Sequence, residues 1–190
     1  MSNVTANKKV YMPVFTGLCI ALCVVLPMAF HAVPDGGKVI CPMHIPVLIC
    51  GLVCGWQYGL LCGLLGPLLS SLLTGMPPTA MLPSMMLELA VYGVVASLMM
   101  KAVYTKNIYA DLYISLVTAM LAGRVLSGVS KALIFSRGQF SLLDWATASF
   151  VTCLPGIVIH LAVIPTLIFA LVKAGLVPPR YPAKKEVSHE

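Results

Sequence analysis

Charge is what this chain has least of. Of its 190 residues only 9% are Asp, Glu, Lys or Arg, against roughly 25% in an ordinary soluble domain, while 59% are hydrophobic. That balance excludes a soluble globular domain and identifies an integral membrane protein. Polar sequence is scarce too. Once segments of ~20 apolar residues are set aside as spanning helices, too little remains for an extramembrane domain, and a single helical bundle is expected.

Catalytic and energising motifs are also missing. There is no G-x-x-x-x-G-K-[ST] loop to cradle a nucleotide, no H-E-x-x-H, no G-x-S-x-G and no aspartate pair for intramembrane proteolysis. An enzyme is therefore unsupported, and no catalytic residue can be named. The seven cysteines contain no C-x-x-C pair, and all but Cys41 lie in apolar runs where a thiol is a small hydrophobe. No disulfide framework and no cofactor is expected. Cys41 and His44 lack a matching second pair of ligands and make a poor zinc signature. The net charge of +6 would raise the question of nucleic acid in a soluble chain. Here Lys and Arg sit mostly in short loops beside apolar segments, where they act as topology signals.

What is present is a series of apolar runs, near residues 11–33, 44–74, 81–100, 108–135 and 145–173. The first follows Lys8 and Lys9 and is longer than the core of a cleavable signal peptide, so it is expected to remain as a span. The 31 residues of 44–74 would form a helix of ~46 Å, too long for a ~30 Å hydrocarbon core yet short for two full crossings. A break near "GWQYG" (residues 55–59) makes two short spans. Six crossings then place Lys8, Lys9, Lys101, Lys106, Lys173, Arg180, Lys184 and Lys185 on one side, eight of the twelve basic residues, whereas five crossings separate the terminal clusters. The positive-inside rule favours six. The expected fold class is an all-α integral membrane protein: a six-transmembrane-helix bundle, N-in/C-in, with short second and third spans. Residues 1–10 form a cytoplasmic tail, 11–173 the membrane domain and 174–190 a second cytoplasmic tail. Gly51, Gly55, Gly59 and Gly63, four residues apart, allow close helix approach in lipid.

Charged groups inside a bilayer cost several kcal/mol unless paired or wet. Three are read here: Glu88, Arg124 and Lys131. In the six-span topology Glu88 lies roughly 10 Å below the outer surface and Arg124 about 16 Å, with Lys131 one turn from the outside. Arg124, Ser127 and Lys131 fall at i, i+3 and i+7, and Glu88 and Tyr92 at i and i+4, each set on one helix face. Two polar stripes in the outer half of the membrane suggest an outward-opening pocket; an ion pair that only orients helices is the plainer reading. One acid against two bases favours a substrate with an anionic or strongly accepting group.

His160, bracketed by Pro155 and Pro165, is either a pocket residue or bonded to a carbonyl that a proline has freed. Pro67, Pro155 and Pro165 break or kink helices at depth. His44, in "CPMHIPVLICG" (residues 41–51), stands beneath the 33–39 loop, placed to meet a ligand, to latch that loop, or to cap a helix start. Lacking an ATP site, a transporter of this size must use a gradient or a partner's energy.

These stretches resemble the substrate-binding (S) component of energy-coupling factor (ECF) transporters, the bacterial vitamin importers. The likeness is carried by "GLCIA" with its small residues Gly17 and Ala21, by "PMHIPVLICGLVCG" (42–55), by the short third span and by "MLPSMMLELAVYGVVASL" (81–98), and covers about residues 10–175. The resemblance implies six helices in the plasma membrane, a pocket near the outer face under the first loop and lined by helices four to six, and no transport alone. It also implies a transmembrane (T) subunit coupled to two ATPases, against which an Ala-x-x-x-Ala face of the first helix docks and the S component topples. Gly17 replaces the first alanine here. His44, Glu88, Tyr92, Arg124, Ser127, Lys131 and His160 fall where that pocket is expected. Rival readings are a small secondary transporter, for which matched broken helices are not evident, and a membrane scaffold whose buried charges pair only with each other. Pantothenate, a pyridoxine-like compound and a thiamine-pyrimidine precursor all suit a modest polar pocket.

Overall fold

The computed structural model describes residues 8–29, 40–135 and 141–177, and these are helical, with no strand among them. Helix α1 is Lys8–Ala29, α2 His44–Cys54, α3 Trp56–Thr74, α4 Leu82–Ala102 and α5 Ile108–Ser130, the last continuing into a π-helical turn, Lys131–Phe135. A short helix α6, Leu142–Ala146, also widens into a π-helical stretch, Thr147–Thr152, before α7, Leu154–Lys173. The 33–39 loop, Arg137 and most of both tails (residues 1–7 and 178–190) lie outside the described residues, while residues 8–10 belong to α1.

Among the described residues five helices are long and apolar enough to cross a membrane: α1, α3, α4, α5 and α7. The break expected in the second apolar run is found at Gly55, where φ is 104°, a left-handed-side value that glycine adopts without Cβ strain. The two helices it separates are unequal. The 11 residues of α2 reach only ~16 Å, about half a hydrocarbon core, whereas the 19 residues of α3 reach ~28 Å. Of the two spans expected to be short, only the first is short. The chain reverses at Gly55: a Cβ on Gly59 would lie 2.9 Å from Gly51 Cα, a proximity that a continuous helix forbids.

The glycine series makes the central junction. A Cβ at Gly59 would meet Gly93 of α4 backbone to backbone, and one at Gly63 would strike the backbone of Leu89 and Ala90 at 2.6 Å. Small residues here let α2, α3 and α4 approach until main chains touch, the packing mode that replaces hydrophobic burial between helices in lipid. α4 is the central strut, packed on α3 and α5, while α1 lies against α3 and α2. Contact of α7 with α2 and α5 is sparse. Between these helices sits a core that includes Leu48, Leu89, Leu112, Leu116 and Ile164, each fully buried.

The final apolar run also divides, at Cys153. Pro155 stands in the first turn of α7, where its missing N–H costs nothing but bars continuation from the preceding helix. Pro67 and Pro165 lie inside α3 and α7. Local caps set other boundaries: Asn107 Oδ1 accepts from Tyr109 N at 3.0 Å to start α5, and Ser141 Oγ accepts from Asp144 N at 3.2 Å to start α6, both side-chain N-caps.

A fourth charged group within the helices joins the three read from sequence. Asp111, fully buried near the start of α5, accepts from Thr105 N at 2.9 Å and from Thr105 Oγ1 at 2.7 Å, so it fastens the α4–α5 connection.

Candidate functional site

Four helices bring polar side chains to one place. His44 opens α2 because Cys41, at φ 48°, turns the chain so that His44 N meets Cys41 O at 3.0 Å. The imidazole Nδ1 lies 3.0 Å from the same carbonyl, which directs Nε2 toward α4, 3.8 Å from Glu88 Oε1. One turn along α4, Tyr92 donates its hydroxyl to the same Glu88 oxygen at 2.8 Å. His44 thus stands at the start of α2, but its ring meets a carbonyl rather than a helix N–H and makes no side-chain cap.

The His44 ring centroid lies 5.0 Å from that of Tyr92, with planes tilted by 52°, and 5.6 Å from that of His160 on α7, nearly parallel to it. His160 is completely buried, yet neither ring nitrogen finds a hydrogen-bond partner. The proline-freed carbonyl that would have made it a plain structural residue is not bonded to it. A buried imidazole left this way forfeits about 1–3 kcal/mol per unsatisfied group.

Arg124 and Ser127 of α5 complete the arrangement. Both are buried, and neither Arg124 Nε nor Ser127 Oγ has a partner. The Arg124 guanidinium lies 5.9 Å from the Phe150 ring centroid, within cation–π range. Tight packing sets the distance between α4 and α5 here, because a Cβ on Gly123 would collide with the Tyr92 ring. Beyond Arg124 a cavity of ≈ 80 Å³ is walled by Val117, Met120, Leu121, Phe150, Ile157 and Leu161.

The structure therefore brings His44, Glu88, Tyr92 and His160 into direct contact and sets Arg124 and Ser127 beside them. Lys131 departs from this pattern. Its N–H still bonds Ser127 O, so it stays in α-helical register with Arg124 and Ser127, but it is half-buried where they are buried. Among the described residues no carboxylate forms a salt bridge with Arg124 or Lys131, and Glu88 instead bonds Tyr92 and faces His44, so the alternative of a Glu88 ion pair with one of these bases is not the contact observed.

Three contributors were not anticipated from sequence: Phe150, Cys41 and Cys153. Cys41 Sγ and Cys153 Sγ stand 3.8 Å apart, joining the start of α2 to the start of α7. No sequence signal pairs residues 112 apart; the prolines at 42 and 155 mark both bends but not their meeting. Among the described residues no group of three or more His, Cys, Asp or Glu could hold a metal ion.

On the opposite side of the bundle, Gly17 and Ala21 lie on the exposed face of α1. A Cβ on Gly17 would meet nothing within 4 Å. Val14, Leu18 and Val25 on the same face are more than half exposed, so an apolar stripe with a shallow notch faces outward.

The family model for the substrate-specific component of ECF transporters matches residues 12–179. No curated protein and no solved structure matches the chain at a significant level. The match spans most of the molecule, and the chain belongs to the family of ECF transporter substrate-specific components.

Proposed function

We propose that this substrate-specific component captures a micronutrient, a B-vitamin or a vitamin precursor, with high affinity near the extracellular face of a bacterial plasma membrane. It hands its cargo to a separate T-type transmembrane subunit driven by two ATPases. The observation that carries this reading is the convergence of buried, under-bonded polar groups within an apolar bundle: Arg124 Nε, Ser127 Oγ and both nitrogens of His160 lack partners beside the bonded trio His44, Glu88 and Tyr92. Unsatisfied groups in such a place are costly, and a ligand that bonds them offsets the cost. Lys131 stands at the rim.

Six crossings with N-in/C-in topology follow if α2 and its chain reversal at Gly55 count as the second span, which leaves tails 1–10 and 174–190 in the cytoplasm. The α1 face at Gly17 and Ala21 suits close helix-to-helix docking on the T subunit, since none of the described residues covers Gly17.

The test is mass spectrometry of small molecules released on denaturing the gently extracted, detergent-purified protein, beside a Glu88→Ala/Lys131→Ala double variant. A tightly held compound present in the wild type and absent from the variant supports capture. Release of nothing from the wild type would leave the polar groups as helix-pairing contacts and favour a scaffold.

A further inference from the structure

We infer that the cargo is a small monocarboxylate whose acid group seats on Arg124 and whose short apolar part enters the adjoining cavity; this rests on the capture reading above.

The site holds a buried cation with no carboxylate bonded to it. Arg124 is only 4% exposed, its Nε has no partner, and no described carboxylate pairs with it. Three of the chain's six carboxylates lie among the described residues, and each is otherwise placed. Asp111 is held by Thr105, Asp144 is exposed on α6, and Glu88, the one within electrostatic reach of Arg124, is bonded to Tyr92 and faces His44. A guanidinium cannot shed its proton to escape burial, and Glu88 is near it without bonding it, so the direct carboxylate partner of Arg124 is left for the ligand to supply.

The kind of anion follows from the single buried cation. The planar guanidinium fork matches a carboxylate through two parallel N–H···O bonds. A phosphate of charge near −2 would call for a second cation, and Lys131 lies seven residues on, ~10 Å along the helix axis. Ser127 Oγ, one turn from Arg124 and also unpartnered, offers a further donor on the same side.

The cavity sets the neighbouring group. Its walls beyond Arg124 are Val117, Met120, Leu121, Phe150, Ile157 and Leu161, with no polar surface, and its volume is ≈ 80 Å³. A dry cavity of about 150 Å³ holds benzene. The space here takes a few carbons or one edge of a ring next to the acid, and the polar remainder of the cargo is left to His160, His44 and Glu88.

The first measurement needs no variant: identify the compound released from the wild-type protein. A released carboxylic acid supports the inference. A released compound without an acidic group overturns it while leaving the capture reading intact, and release of nothing overturns both. The second measurement is calorimetric titration of the identified acid and of its primary amide into ligand-stripped protein. The amide is expected to bind roughly 10- to 100-fold more weakly, the value of a charge-assisted pair. Arg124→Gln is expected to bring the acid down to the level of the amide, and Arg124→Lys, which keeps charge without the fork, to fall between. Equal binding of acid and amide by the wild type, or undiminished acid binding by Arg124→Gln, would refute the assignment. Should Arg124→Gln not fold, the comparison of acid with amide in the wild type decides alone.

Discussion

Replacing Gly93 with alanine adds one methyl group where α3 and α4 already touch. A Cβ at Gly93 would press on the Gly59 backbone, with Gly59 Cα at 2.8 Å. Ordinary contact begins near 3.4 Å, so the helices must part by more than half an ångström, and the obstructing atoms are main chain that cannot rotate aside. A Cβ on Gly51 also meets Gly93, at 3.0 Å from its Cα, so α2 is displaced with α3. Overpacking of this kind costs ~1–3 kcal/mol, and for a chain of this length each kcal/mol moves the midpoint by ~2–4 °C. The apparent Tm of Gly93→Ala in detergent, followed by a thiol-reactive dye that reports the buried cysteines, is expected to fall by about 2–12 °C. Gly17→Ala is the matched control, since its new Cβ meets nothing within 4 Å, and its Tm should equal that of the wild type. A Gly93→Ala midpoint indistinguishable from the control would refute backbone contact between α3 and α4.

Gly55→Ala is expected to cost ~1–3 kcal/mol, because φ is 104° there; a denaturant midpoint unchanged from wild type would mean that the reversal does not need glycine. Tyr92→Phe deletes the 2.8 Å bond to Glu88, worth ~1.5–3 kcal/mol for a charged acceptor, and is expected to weaken retention of the co-purified cargo more than tenfold by quantitative mass spectrometry. Diamide, a two-electron oxidant that accepts the two thiol hydrogens, should join Cys41 and Cys153, whose sulfurs are 3.8 Å apart. Peptide mapping would show the linked fragment, absent from Cys153→Ser. Gly17→Leu should leave Tm unchanged, as its site is open, yet prevent co-purification with the T subunit; an intact complex would move docking to another face.

Much of the bundle was legible because lipid imposes one rule on every segment: an apolar helix of sufficient length. Runs of apolar residues therefore located α1, α4 and α5, the length of the second run called for the break found at Gly55, and the glycine spacing pointed to close packing without naming α4 as the partner. The length of α2 was less visible. Pro42 and Pro46 precede or open the helix, but only the turn at Cys41 fixes where it starts. Within the site, i, i+4 spacing put Glu88 and Tyr92 on one face, and they are bonded. The same arithmetic places Lys131 in register with Ser127, whose carbonyl its N–H bonds, but periodicity does not tell that Lys131 is less enclosed than Arg124 and Ser127. The pairing of His44 with His160 joins residues from opposite ends of the chain, and periodicity carries no information about such meetings. Asp111 shows a different limit: a buried acid near a helix end looks like a loop residue until its bonds to Thr105 are seen.

A carrier needs one wall that stays and one that gives, and the distribution of glycine divides this molecule in that way. Main-chain contact among Gly51, Gly59 and Gly93 leaves no side chain to change rotamer, so α2, α3 and α4 behave as one plate. His44 and Glu88 are mounted on that plate. Arg124 is carried by α5, which packs tightly on α4, whereas His160 belongs to α7, whose contacts with α2 and α5 are sparse and which is reached through a π-helical stretch. If the capture proposed above holds, admission of cargo requires no rearrangement of the plate: displacement of α6 and α7 is the movement that would open the pocket, and a ligand bonded to both His160 and Arg124 would draw α7 back.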